Sequence, residues 1–254
     1  MSTWISEIPN RALAGRLWPA SARFSTAALL LSLAGCGGFD AGGGPGLFAQ
    51  KAPEKARVVQ NTVTIAGPRG YCVDTTATRD DARGAFVLLA SCASISGSAR
   101  QPKPDHPAIL TATVAAEESG RPIADSTDRL KAFFTSDAGR AALSKNGKAE
   151  SVTVLSTSAN DGVFYLHARD KSGALVSGAG EDYWRAMLDV KGRVVSASLV
   201  GVNNQPISDD AALATLQKFT RRIQRENRVS AQTDAAVQQA RKTGLPGFLR
   251  RLFP

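Results

Sequence analysis

The apolar and polar positions of this chain alternate over short stretches, which predicts β-strands along most of its middle part. Apolar residues at every second position favour a half-buried strand, and a short continuous apolar run favours a fully buried one. RVVQNTVTIAG shows the alternation, with Val59, Asn61, Val63 and Ile65 on one side. The other predicted strands are YCVDTTATR, GAFVLLASC, PAILTATVAA, SVTVLSTS, GVFYLHARD, DYWRAMLDV and RVVSASLVGV.

Two parts of the chain change to a helical pattern. DSTDRLKAFF and SDAGRAALS begin with Asp125 and Ser136, which are residues that cap helices, so they predict one broken helix or two short ones. Closer to the C-terminus, Ser208 can cap a helix, and Asp209 and Asp210 complement its dipole. The apolar stripe of this final helix consists of Ala212, Leu213, Leu216, Phe219 and Ile223.

The order of elements is strands, a helical segment, four strands and a final helix, which predicts an α+β fold. Gly173 and Gly192 lie where hairpin turns need a positive φ, and strands joined by short turns form an antiparallel sheet. We expect one globular domain over residues 57–229, with the helices covering one face of the sheet. This order is similar to that of PsbP-like domains, and the similarity concerns topology alone, with no implication for function.

The first 35 residues have the composition of a removable signal peptide. Arg11, Arg16 and Arg23 precede or border FSTAALLLSLAG, which contains no charged residue. This apolar segment is shorter than the roughly 20 residues of a transmembrane helix, but it has the length of the apolar region of a signal peptide. A leader that is cleaved is therefore favoured over a permanent membrane span.

The leader ends in Leu33-Ala34-Gly35-Cys36, which resembles the lipobox of bacterial lipoproteins at all four positions. The resemblance implies cleavage before Cys36, a diacylglycerol on its sulfur and acylation of the freed amine, which would anchor the protein stably. Because Gly37 rather than Asp follows the cysteine, it implies the periplasmic face of the outer membrane, with the inner membrane as the alternative. An ordinary signal peptide or a buried cysteine is the other interpretation, and the long leader also allows a true start downstream.

Two segments that flank the domain are predicted to lie outside its core. Residues 36–56 contain the lipidated cysteine and then a stretch rich in Gly and Pro, which suits a flexible tether. Residues 230–254 form a basic tail that mixes arginines with apolar residues such as Phe248 and Phe253. This tail is either disordered or an amphipathic segment that lies on anionic lipid or in a partner's groove.

If Cys36 carries lipid, the two other cysteines, Cys72 and Cys92, form a pair. They lie in neighbouring strand segments joined by a turn, and an oxidising periplasm favours a structural disulfide that contributes roughly 3 kcal/mol. Their spacing does not suit a redox-active pair or a zinc site. Residues 67–97, with Gly-Tyr-Cys and a second Cys after an apolar strand, resemble a group of uncharacterised proteobacterial exported lipoproteins. That resemblance supports export and implies no activity.

The candidate binding residues are Tyr165, His167, Arg169, Glu181 and Asp182. Alternation places the first three on one face of a strand, where they could bind an anion or transfer a proton, although a solvent-facing strand is the simpler interpretation. The two acidic residues lie in GAGEDYW, a candidate binding loop whose simpler interpretation is a turn before a strand with Trp in the core. The sequence contains no Gly-x-Ser-x-Gly motif, and no catalytic residue, metal site or cofactor is predicted.

The charge of the chain indicates an acidic partner. The formal net charge is +9, and much of the excess lies on the final helix, at Lys218, Arg221, Arg222, Arg225 and Arg228. An exported protein seldom meets nucleic acid, so nucleic acid is not expected as a partner despite this charge.

These observations together predict a membrane-anchored periplasmic lipoprotein of unassigned specific role, which presents its domain to an envelope protein, a glycan or a lipid, and they favour binding over catalysis. The alternative is a ligand-binding protein or an enzyme whose site lies near His167 and residues 181–184.

Overall fold

The computed structural model of the protein describes residues 51–173, 178–202 and 205–242, with side chains as far as residue 228. Its strands are β1 (Lys55–Val58), β2 (Val63–Ala66), β3 (Tyr71–Asp81), β4 (Gly84–Ser91), β5 (Ala108–Ala115), β6 (Val152–Asn160), β7 (Val163–Asp170), β8 (Ala179–Val190) and β9 (Arg193–Val202). Its α-helices are α1 (Cys92–Ser96), α2 (Thr127–Thr135), α3 (Asp137–Leu143) and α4 (Asp209–Lys242), and Ala124–Ser126 and Ala149–Ser151 are single 3-10 turns.

Seven strands form one antiparallel sheet in the order β3-β4-β5-β9-β8-β7-β6. The hairpins β3–β4, β6–β7 and β8–β9 join strands that are neighbours in sequence, while β5 pairs with β9 across the intervening chain. Gly173 and Gly192 have φ values of 110° and 75°, as the predicted turns require. The predicted α+β class and the antiparallel sheet are confirmed.

Helices pack against both faces of this sheet, so the prediction that they cover one face is wrong. Leu216, Phe219 and Ile223 of α4 are buried against one face, in a cluster with side chains of β4, β5, β7, β8 and β9. Phe134 of α2 and Leu143 of α3 are buried in a second cluster on the opposite face, beside β6 and β7. β7 is therefore covered on both sides, and its side chains are buried in both directions.

The predicted strand at residues 57–67 is instead a hairpin of β1 and β2, which pair with each other and not with the main sheet. Val59, Gln60 and Asn61 have φ values of 51°, 55° and 63°, so they form a turn in the left-handed region. The backbone N–H of Val59 donates to both carboxylate oxygens of Asp80, at 3.0 and 3.1 Å, which holds the turn on β3. Because the alternating pattern continues through this turn, it does not indicate that the strand ends there.

The final helix, α4, is the longest element of the described chain. Its N-terminal turn is capped by Ser208, whose carbonyl accepts from the N–H of Ala212 at 2.8 Å. The predicted stripe is confirmed, since Ala212, Leu216, Phe219 and Ile223 are at most 3 % exposed and Leu213 packs against the same cluster. α4 continues through the expected end of the domain at residue 229 as far as Lys242. Residues 243–254 of the predicted tail lie outside the described residues.

The two cysteines form the predicted disulfide, with Cys72 at the start of β3 and Cys92 at the start of α1. Both are buried together with Ala52, so packing begins before the expected boundary at Arg57, which itself lies inside β1. The predicted signal peptide, Cys36 and the tether up to Gln50 lie outside the described residues.

Candidate functional site

The candidate residues of β7 and β8 lie beneath or beside the first half of α4. The register pairs His167 with Trp184 and Arg169 with Asp182 across the two strands. Tyr165, further along β7, is buried, and its hydroxyl lies 3.0 Å from the Thr220 hydroxyl of α4. Burial raises the pKa of Tyr165, which keeps this phenol neutral.

At the rim of this region Arg169 and Asp182 form a bidentate ion pair. Arg169 Nε donates to Oδ1 at 2.6 Å and Nη2 donates to Oδ2 at 2.7 Å. This hydrogen bonding, opposed by partial burial, holds the pKa of Asp182 below its usual value. The guanidinium and the carboxylate neutralise each other, so neither is a free charge for an incoming ligand. Glu181, the residue before Asp182, is exposed and does not belong to this ion pair.

His167 is buried, and the interpretation of a solvent-facing strand is wrong. Its ring stacks on Trp184 at a centroid distance of 4.3 Å, and its residue exposure is 6 %. Its Nε2 lies 3.7 Å from Oδ1 of Asp209 on α4, and neither this nitrogen nor Trp184 Nε1 has a hydrogen-bond partner in the described structure. α4 crosses the face of β7 that the alternation assigned to solvent, and this crossing is not visible in the strand's own sequence.

This cluster does not have the arrangement of a catalytic site. General acid–base chemistry needs a titrating group within hydrogen-bond reach of a substrate, and His167 is enclosed by Trp184 and α4. Trp184 belongs to the buried core of the sheet, as the simpler interpretation of GAGEDYW predicts. In the residues that the structure describes, no group of three or more His, Cys, Asp or Glu side chains is placed to hold a metal ion.

A second polar arrangement lies along the outer side of α4. Lys218, Arg221, Arg225 and Arg228 are exposed and follow each other at spacings of three or four residues, so they line one side of the helix. We call these four residues the basic stripe. Together with Pro68, Arg69 and Arg222 they line an open groove of about 550 Å³.

Only one carboxylate of the described chain is paired at this groove. Glu226 binds Arg222, with Oε1 3.0 Å from Nη2, and it also lies 3.7 Å from Lys55 Nζ. None of the four residues of the basic stripe has an ion-pair partner among the described residues. Arg222 Nε is buried and lacks a hydrogen-bond partner there. The groove therefore carries six cations, of which the nearby carboxylates of Glu226 and Glu54 offset only a part.

The sequence indicated the cations of α4 but not Arg69. That residue precedes β3, about 150 positions before the basic stripe, and it reaches the groove because α4 packs against β2. No local signal in the sequence could have placed it there.

Sequence reasoning also missed Arg185, which lies on the sheet face opposite α4. Arg185 Nε donates to the Ser198 hydroxyl at 3.3 Å, and its guanidinium lies 5.5 Å from the centre of the Tyr183 ring. Burial lowers the pKa of Arg185. Among the described residues, no carboxylate pairs with this cation.

Comparison of the chain with protein-family models, with curated proteins and with solved structures finds no match in any of the three. In the described part of the chain, no helix has both the length and the apolar character needed to cross a membrane.

Proposed function

We propose that this chain is a lipid-anchored lipoprotein of the bacterial cell envelope whose domain binds an anionic partner and catalyses no reaction. The leader with Leu33-Ala34-Gly35-Cys36 supports export and acylation. The disulfide between Cys72 and Cys92 is typical of an oxidising compartment such as the periplasm. The outer membrane is the favoured location, on its periplasmic face.

The observation that carries the binding proposal is the groove beside α4. Six cationic side chains line it, and the two described carboxylates that act on Arg222 are already paired, Glu226 with Arg222 itself and Glu54 with Lys51. At physiological ionic strength a charge acts over about 8 Å, so cations one helical turn apart reinforce one another. A surface of this kind attracts anions and accelerates their encounter.

The alternative site near His167 is less well supported. Asp182 is bound to Arg169, and the buried ring of His167 faces Trp184 and α4 rather than an open groove. A ligand there would have to separate α4 from the sheet.

The anchor is tested by replacing the modified residue. We expect the chain to incorporate labelled fatty acid and to fractionate with the outer membrane, and we expect Cys36→Ala to abolish the label. Membrane retention of a cleaved Cys36→Ala protein would contradict anchoring through this residue.

The binding surface is tested by photo-crosslinking in intact cells. A photoreactive residue at Ala214, which is exposed one turn before Lys218, keeps every cation of the groove. The matched control position is Ala132, which is exposed on α2 at the opposite face of the sheet. We expect adducts from position 214 that disappear in Arg221→Gln/Arg225→Gln and are absent from position 132. The same adducts from both positions, or adducts insensitive to the double substitution, would contradict the proposal.

A further inference from the structure

We infer that the basic stripe binds the phosphate groups of anionic phospholipids in the membrane that anchors the chain, so that α4 lies along that membrane. This inference rests on the proposed function and names the partner of the same groove.

The point at which the chain enters the domain is the first argument. Lys55, the first residue of β1, lies 3.7 Å from Glu226 of α4. Glu54 is bound to Lys51 at 2.9 Å, and this bond, with a smaller contribution from Arg222, holds its pKa below the usual value. The first described residues, 51–55, therefore lie on the side of the domain that carries the groove.

The length of that segment is the second argument. Fourteen residues, 37–50, separate Cys36 from Lys51, the first residue that the structure describes. If they form the flexible tether that their Gly-rich composition predicts, their root-mean-square length is about 21 Å, so the entry side of the domain stays near the membrane surface. Binding of the stripe to that surface is then an intramolecular step, favoured by a high effective concentration of lipid.

The chemistry of the surface favours lipid over an acidic protein. The basic stripe extends over about 15 Å along the helix, which suits several phosphates in a plane. Stable protein interfaces depend on buried aromatic or aliphatic anchors. The exposed large apolar side chains of the described structure are Phe133 on α2 and Leu155 on β6, and neither lines the groove. The groove thus offers six cations, and Pro68 is the one apolar residue among those that line it.

The test uses the mature chain from residue 36 with Cys36→Ser, so that neither the leader nor acyl groups contribute. Binding is measured by sedimentation with vesicles of phosphatidylcholine alone or with about 30 mol % phosphatidylglycerol. We expect binding only to the anionic vesicles, with most of that binding lost in about 0.5 M NaCl. Arg221→Gln/Arg225→Gln should lower the partition coefficient about 25-fold, since each cation near such a surface contributes about fivefold.

The matched control is Lys131→Gln/Lys171→Gln, which removes the same charge from exposed positions on α2 and after β7. We expect less than about a twofold effect, because these residues lie away from the groove and only net charge changes. Unchanged thermal unfolding of each variant shows that it is folded.

Two results would overturn the inference: no preference for anionic vesicles, or equal losses in the stripe and control variants. Crosslinking from position 214 then tells a failure of the lipid inference apart from a failure of the proposed function. Protein or glycan adducts that depend on the stripe would keep an anionic partner while excluding lipid. Absence of both vesicle binding and stripe-dependent adducts would reject the two proposals together.

Discussion

Buried polar side chains determine how α4 is held against the rest of the domain. Asn227 accepts from the backbone N–H of Thr64 at 2.9 Å, and its Nδ2 donates to the carbonyl of Thr64 at 2.8 Å. The side chain thereby pairs with β2 as a neighbouring strand would, and its Nδ2 also lies 2.8 Å from the carbonyl of Ile223. One residue of α4 thus joins the separate hairpin β1–β2 to the helix.

We predict that Asn227→Ala destabilises the domain by at least about 2 kcal/mol, because it leaves the buried N–H and C=O of Thr64 without partners. Chemical unfolding at equilibrium measures this loss. Gln224→Ala is the control: Gln224 makes one long bond, 3.4 Å to the carbonyl of Asp161, and we expect a loss below about 1 kcal/mol. Equal losses in the two variants would contradict the role given to Asn227.

The disulfide gives a second prediction at the residue scale. Cys72 and Cys92 are 20 positions apart, so their bond restricts a loop of the unfolded chain, and Cys72→Ala/Cys92→Ala should reduce the free energy of unfolding by about 3 kcal/mol. Unfolding in urea with and without dithiothreitol measures the effect. The wild-type protein should lose stability in the reductant and the double variant should not. Equal sensitivity of both proteins would be inconsistent with a structural disulfide.

At the scale of elements, the pair of Arg169 and Asp182 connects β7 to β8 and makes stability depend on pH. The folded-state pKa of Asp182 is lowered, so its contribution is present above the ordinary pKa of an aspartate and is lost as pH falls through the folded value. Asp182→Asn should therefore be less stable than wild type at neutral pH, and the difference should vanish in strong acid.

This difference should be modest and should shrink in salt, because both side chains are more than 40 % exposed. Thermal unfolding at several pH values measures it. Glu181→Gln removes the same charge from the neighbouring exposed residue, which is outside the ion pair, and it controls for net charge. A stability difference for Asp182→Asn that persists below the folded pKa would point to packing instead of charge.

The main sheet was predictable from sequence because its strands carry their own signals. The apolar run of β4 predicts a buried strand, and Gly192 predicts the turn of a hairpin. The apolar stripe at Leu216 and Phe219 predicts the buried side of α4. The hairpin β1–β2 was not predictable, because its turn at Val59 contains neither Gly nor Pro and is held by Asp80 from another strand.

The candidate site was predictable only in part for a related reason. The alternation correctly places His167 on the opposite face of β7 from its neighbours Leu166 and Ala168. It does not show which of the two faces is covered by a helix. α4 comes from the C-terminal part of the chain and buries His167, while Arg69 joins the groove from before β3. Both facts depend on contacts between distant segments.

At the scale of the whole molecule, α4 links the basic stripe to the C-terminal tail. The helix continues to Lys242, beyond the last residue that packs into the described core, and the sequence after it combines apolar residues with Arg250 and Arg251. The stripe and the tail can therefore bind the same membrane surface through different interactions. The stripe contributes charge alone, and the tail can add apolar burial.

We predict that truncation after Thr243 weakens binding to anionic vesicles, and that the part of the binding it removes is the part that resists salt. Charge contacts are screened at high ionic strength, whereas burial of Leu and Phe side chains is not. The truncated protein should lose any binding that remains in about 0.5 M NaCl, and Arg221→Gln/Arg225→Gln should lose chiefly the salt-sensitive part.

Sedimentation at two salt concentrations distinguishes these contributions, and Lys131→Gln/Lys171→Gln again controls for net charge. If truncation leaves membrane association and every co-purifying partner unchanged, the tail has no part in binding, and attachment beyond Cys36 would depend on α4 alone. If truncation instead removes the salt-sensitive component completely, Arg250 and Arg251 rather than the basic stripe would be the main contact with phosphate.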